Sequence, residues 1–293
     1  MRRATLFFLA AALAPAQQGV PENATQKVSE HVYAIVGFPN IAIVTGSRAT
    51  LVVDTGMGPR NGAAIVRELA KLPKTQTLYI TTTHFHPEHS TGDQAFPPGA
   101  ILLRNATQQE EMDKRGLEFI ATFSSRSAQN KELLADVKLR TPDLVFNRDA
   151  QLDLGGVTAR LFWRGPAHTL GDLLIWVEPD RTLISGDLVQ NKLVPNFPNE
   201  DSSVQGWLEV LDYLEPLEPL HVIPDHGALG DGSLIAQQRA FMLDVQSRAL
   251  ALKRQGVSVE DAAKRLPTDL KPKYPGWDNL NPLPNFIRRI YAE

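Results

Sequence analysis

The stretch His84-Phe85-His86-Pro87-Glu88-His89 packs three of the chain's seven histidines and a carboxylate into six consecutive positions. Neutral imidazoles beside a carboxylate are the donor set of a divalent cation of intermediate hardness. His84 and His86 are two apart, so at the end of a strand both rings leave the same side of the chain toward one point. Pro87 fixes a turn, after which Glu88 and His89 project on a different side and begin a second ligand set. Two adjacent ions fit this arrangement better than one. The remaining ligands are sought at other strand ends: His168 in "GPAHTLGD", Asp187 in "SGD" and His226 in "PDHG" each follow an apolar run and sit in a glycine-containing turn. Taken singly, each histidine is compatible with a structural role. Together, in this order and with turn glycines nearby, they are strong candidates for the remaining ligands. Such a pair of ions brings the pKa of a bound water toward neutrality, polarises a carbonyl or phosphoryl oxygen, and stabilises the anion formed on attack. That chemistry is hydrolysis.

The elements that must hold these residues can be read from periodicity. Short strands are expected at 32–37, 41–45 and 50–53, antiparallel and ending in Asp54-Thr55-Gly56. A helix is expected over 61–72, where Ala64, Ile65, Leu69 and Leu72 share a face. The run Thr77 to Thr83 reads as a buried strand that delivers the histidine cluster at its C-terminal end. A strand at 100–103 precedes a long polar helical region, 106–136, marked by Phe119, Ile120 and Phe123. The second half repeats the rhythm, with strands near 143–146, 157–163, 172–177 and 181–187. Helices near 203–214, 233–254 and 258–265 flank another strand-to-loop segment at 220–227. The two halves suggest two β-rich layers with helices outside. Residues 268–293, with Trp277, Phe286 and Tyr291, read as a packed C-terminal cap.

Composition narrows the function classes. With 293 residues, 43% of them hydrophobic, the chain can bury a sizeable core, and no linker divides it. Arg2 and Arg3, the apolar run Leu6 to Leu13 and the small-x-small Ala14-Pro15-Ala16 read as a signal peptide over residues 1–16, predicting export to the periplasm or beyond. Without cysteine, every metal ligand must be His, Asp or Glu. A net charge of −3 with no Lys/Arg run offers no footprint for nucleic acid or anionic lipid, so the expected partner is a small-molecule substrate. No glycine-rich dinucleotide fingerprint is present.

Five motifs in order, Asp54 in "VVDTG", the "HFHPEH" cluster, His168, Asp187 and His226, make the chain resemble the metallo-β-lactamase superfamily over nearly all of residues 17–293. The resemblance implies an α/β fold, the αββα sandwich of two mixed sheets flanked by helices, in a single domain with the metals at one sheet edge. It implies a first ion on His84, His86 and His168, and a second on position 88, His89 and His226, with Asp187 bridging. Asp54 would support the metal-binding loop by hydrogen bonding. Zinc, two per chain, is the implied cofactor; iron or manganese also suits these donors.

The family pattern is His-x-His-x-Asp-His, and Glu88 stands where the aspartate belongs. The added methylene moves the carboxylate by about 1.3 Å, so either the loop shifts or the side chain binds differently. Glu88 and Asp187 are the expected catalytic carboxylates, orienting a hydroxide held between the ions as nucleophile. Export favours a lactamase-like enzyme acting on a cyclic amide or a related ester or lactone. Asp187 tells against a dedicated lactamase, where cysteine or serine is usual, and fits a glyoxalase II-like thioesterase. A non-catalytic metal- or ligand-binding protein of the same fold is the remaining alternative. Expected substrate contacts are Phe85, at the pocket mouth or packed into the loop, and Lys192, paired with a substrate carboxylate or simply solvated. His31 and His221 read as structural.

Overall fold

A computed structural model describes residues 19–198, 200–277 and 279–293; the expected signal peptide lies outside them. The first sheet runs in sequence order through β1 (Thr25–Lys27), β2 (Val32–Ile35), β3 (Ile41–Thr45), β4 (Ala49–Val53), β5 (Thr77–Thr81), β6 (Ile101–Asn105) and β7 (Leu144–Phe146). The second has β8 (Asp149–Asp153), β9 (Thr158–Trp163), β10 (Leu173–Glu178), β11 (Thr182–Gly186) and β12 (His221–Pro224), also in sequence order. Helices α1 (Gly58–Leu69), α2 (Pro87–Ser90), α3 (Ala106–Arg126) and α4 (Ala128–Leu134) fall in the first half. Helices α5 (Val204–Leu214), α6 (Ser233–Arg254), α7 (Val259–Leu270) and α8 (Leu283–Ala292) fall in the second.

Strand periodicity of two divides the core into layers. On β3, Ala42 and Val44 face the second sheet while Ile41 and Ile43 face α1. On β10, Leu173, Ile175 and Val177 face the first sheet while Leu174 and Trp176 pack under α5 and α6. Both faces of both sheets are therefore covered, which is the αββα sandwich expected from the motifs. The first helix starts at Gly58, earlier than its apolar stripe suggests, because Pro59 suits the first helical turn. The C-terminal segment is the expected cap: Phe286, Ile287 and Ile290 of α8 are buried with Trp277 in the core over the second sheet. Strand β8 is not expected from the sequence, because its DAQLD is polar and half-exposed and offers no buried apolar run.

Topology sets where the chemistry goes. β4 and β5 pair in parallel, so Asp54 and the segment from Thr82 leave the first sheet at the same end. β11 and β12 also pair in parallel, so Asp187 and His226 leave the second sheet together. The two edges are joined there by Leu173 N–H donating to the Thr83 carbonyl (2.7 Å) and by Asn40, whose side-chain amide donates to the Pro224 and Gly227 carbonyls.

The opposite end has its own tie. Asp180, in the β10–β11 turn, accepts hydrogen bonds from Ser29 Oγ, from His31 N at 2.8 Å and from His31 Nδ1 at 2.6 Å. Burial raises the Asp180 pKa, but these donors outweigh it and hold the carboxyl below its usual range. A depressed pKa contributes stability above the unfolded value that is lost as pH falls through the folded one. Asp180→Asn should therefore destabilise by about 2 kcal/mol, because it weakens several bonds at one buried acceptor. Denaturant melts of variant and parent should converge as the pH is taken below the carboxylate range.

Candidate metal centre

The histidine cluster is presented by the end of β5 and the short α2. Thr81 ends the strand, and Pro87 opens α2 at a position where its missing N–H costs nothing. His84 Nε2 lies 3.0 Å from His86 Nδ1, and His168 Nε2 lies 3.3 Å from the same atom. His168 comes from the β9–β10 loop, and its Nδ1 sits 2.8 Å from the Asn196 carbonyl. That contact takes the ring proton and leaves the Nε2 lone pair facing inward. Burial first, then neighbouring imidazoles, pushes the pKa of His84 and His86 well below the ordinary value. Both rings are neutral donors at pH 7.

A second group forms from Glu88, His89 and His226, with Asp187 between the two sets. Asp187 Oδ2 is 3.2 Å from His168 Nε2, and its Oδ1 is 3.3 Å from His226 Nε2. Burial raises the Asp187 pKa, yet the imidazoles of His226, His168 and His89 outweigh it and keep the carboxyl below its usual range. Gln190 donates to Asp187 Oδ1 at 2.9 Å. Glu88, despite its extra methylene, keeps Oε1 3.9 Å from His89 Nε2, and burial raises its pKa. The orphaned atoms are informative: His89 Nε2 and Glu88 Oε2 are buried without hydrogen-bond partners, as buried polar atoms rarely are. Donor atoms of His84, His86 and His168, and likewise of Glu88, His89 and His226, converge closely enough to hold an ion each. The residues present thus fit a two-cation site.

His89 is held from behind by two carboxylates. Its Nδ1 lies 3.2 Å from Asp54 Oδ2 and 3.3 Å from Asp225 Oδ2. Asp54, in a left-handed backbone conformation at φ 70°, also accepts from Thr83 N at 2.7 Å. It anchors the start of the cluster and does not face the cavity. Thr83 Oγ donates to Asp225 Oδ2 at 2.7 Å. Burial lowers the His89 pKa, but Asp225 and Asp54 overcome that and hold it up to about 10. Burial, with Asp54 beside it, raises Asp225 well above the ordinary carboxyl value. Asp225 is not among the residues expected from the sequence, where its one signal is a carboxylate directly before His226.

Two expected substrate contacts lie elsewhere. Phe85 is 1% exposed and packs edge-on against Phe119 at 4.8 Å, within the apolar cluster of Met57, Met112 and Phe123. Alternation along the chain turns it away from the side its histidine neighbours take. Lys192 takes a left-handed backbone at φ 58°, and its side chain runs beside Gly276 instead of lining the cavity. The cavity over the ligands, about 260 Å³, is lined by Phe38, Phe119, Phe123 and Arg126, none of them foreseen in that role. Phe38 stacks on His226 with ring centroids 4.3 Å apart.

Comparison with known proteins bears on the fold and the family. The chain is 22% identical over 217 residues to a linear primary-alkylsulfatase of Pseudomonas sp., a match covering 63% of this chain but 40% of that one. It is 21% identical over 199 residues to a metallo-beta-lactamase type 2 of Bacillus sp., covering 67% and 69%. It is 25% identical over 240 residues to a human acyl-coenzyme A thioesterase, covering 74% and 81%. Among solved structures, the stereoselective inverting sec-alkylsulfatase of Pseudomonas sp. superposes with a TM-score of 0.72 at 17% identity, over 92% of this chain and 50% of that one. The metallo-beta-lactamase of Pontibacter korlensis gives 0.61 at 19% identity, over 75% and 98%. Residues 34–226, more than half of the chain and the whole span from β2 to the last ligand, match the family model of the metallo-beta-lactamase superfamily, and the protein belongs to that superfamily.

Proposed function

We propose that the protein is an exported hydrolase that works with a pair of metal ions, zinc first, on a cyclic amide or a related ester or lactone. The observation carrying this reading is the convergence of donor atoms from His84, His86 and His168 and from Glu88, His89 and His226 beside one small cavity, with His89 Nε2 and Glu88 Oε2 buried and unpartnered. In this reading His84, His86 and His168 hold the first ion, Glu88, His89 and His226 the second, and Asp187 both. When bound, the ions would acidify a ligated water and polarise the bond under attack. The chain's own residues then divide the remaining work. Asp187 stays ionised and, fixed by Gln190, orients the water. Glu88, whose burial makes its carboxyl avid for a proton, accepts one at the unpartnered Oε2 and returns it to the leaving group. The cavity suits the acyl part of a substrate whose remainder projects outward. The likeness to the human thioesterase, over 81% of its length, favours an acyl thioester as second substrate class. Residues 1–16 support export to the periplasm or outside.

The reading is tested by metal analysis of protein purified without chelator. Turnover of a chromogenic cephalosporin, a nitrophenyl ester, a lactone and a thioester is then followed before and after zinc addition. Two ions per chain and zinc-dependent hydrolysis of one of these is the expected result; bound metal with none turned over would favour the non-catalytic alternative. Asp187→Ala should cost turnover about 100-fold or more while the melting temperature without metal stays near that of the parent.

The two ion sites should also differ in their dependence on pH. A cation at His89 Nε2 must displace the proton that Asp225 and Asp54 hold on this ring to about pH 10. The folded pKa is raised, so the competing proton is present throughout the neutral range, and the second site should tighten by about tenfold per unit as pH rises from 6 to 8. His84 and His86 are already neutral there, so the first site should change far less. Zinc competition titrations at several pH values measure both steps. Equal slopes for the two ions would overturn this assignment.

A further inference from the structure

Arg126 ends α3 and lines the same cavity as His86, Glu88 and Asp187. Among the described residues it is the one lysine or arginine that does so, and no carboxylate pairs with it. Its guanidinium carbon lies 3.6 Å from the centre of the Phe123 ring. Phe123 is buried, and its centroid is 6.4 Å from that of Phe119, which in turn stacks on the His86 imidazole at 4.9 Å. Residues 119, 123 and 126 follow helical spacing, so one face of α3 forms an apolar floor running from a ligand histidine to a pre-oriented cation. Arg115 offers a contrast: it too lies over Phe119, at 4.9 Å, but it is bound to Asp201 and Glu118. A cation in the last turn suits the helix dipole, but lysine would serve that purpose as well. A planar guanidinium fork, here 3.6 Å from a ring centre, is the form that grips a carboxylate in two places.

We propose that Arg126 anchors a carboxylate at the non-reacting end of the substrate, whose apolar middle lies along Phe119 and Phe123. This rests on the hydrolase reading above and narrows its substrate class to acyl compounds bearing a second, anionic group. The span from the His86 ring to the cation over Phe123 sets the length such a molecule must have.

The test uses the full zinc-loaded chain in two arms. Calorimetric titration with the straight-chain diacids from succinate to suberate, and with monoacids of matching length, reads the anchor without turnover. One diacid length should bind at least about tenfold tighter than its monoacid. That gain should vanish in Arg126→Met, return in part in Arg126→Lys, and weaken with salt, while the melting temperature of Arg126→Met stays unchanged. A diacid no tighter than its monoacid, or an advantage that survives Arg126→Met, would overturn the proposal. The second arm compares the 4-nitrophenyl half-ester of adipate with 4-nitrophenyl hexanoate. Arg126→Met should raise KM about tenfold for the half-ester alone, with kcat within about twofold; equal effects on both esters would count against the anchor. If neither ester nor any of the cephalosporin, lactone and thioester named above is turned over while the diacid effect is intact, the hydrolase reading falls and the anchor stands.

Discussion

Three imidazole nitrogens that cannot share a proton comfortably sit within 3.3 Å of His86 Nδ1 or at that atom itself. Buried lone pairs at that range repel, and the surrounding low dielectric sharpens the repulsion. The rest of the sandwich can be understood as the frame that holds them together. Two parallel strand pairs aim their ends at one edge, and the Leu173–Thr83 bond and the Asn40 side chain close that edge. Behind the rings, Asn196, Thr83, Asp54 and Asp225 fix which nitrogen faces inward. A dication between the rings would convert the repulsion into attraction, and the donor set is of the kind that holds one.

Much of this could be read in the sequence because residue type, spacing and strand period all pointed the same way. The HFHPEH cluster follows an apolar strand, and each of His168, Asp187 and His226 follows another, so the sequence itself implies the sheet edge. The layers were legible for the same reason, since β3 and β10 alternate cleanly between two buried faces. What could not be read depends on tertiary approach. Asp225 matters because β12 brings it against Asp54 and His89, residues far away in the chain. Phe119 and Phe123 looked like the core stripe of a helix, and they are buried as such, yet one edge of that stripe lines the cavity. Lys192 looked well placed by its distance from Asp187, but a left-handed backbone at that residue redirects its side chain.

Glu88 illustrates how a local departure is absorbed. The longer side chain does not displace the loop from its partners, because Thr55 still takes the His89 carbonyl through both its N–H and its hydroxyl. Ser90 likewise holds the Phe85 and His86 carbonyls. The backbone is pinned by bonds that ignore the identity of residue 88, so the extra methylene is taken up by the side chain alone. The charge and its closeness to His89 and His226 are kept, while the angle at which the carboxylate meets a cation becomes a property of this chain.

The division of the site between two sheets also bears on how the molecule comes to exist. Thr83 and Asp225 touch across 142 positions of sequence, and neither half of the ligand set is complete without the other sheet. Contacts of such separation carry a large loop-closure cost and are late events in assembly. The apolar layer between the sheets draws on both of them, as the ligand set does, so whatever loosens the docking of the two sheets dismantles the centre as well.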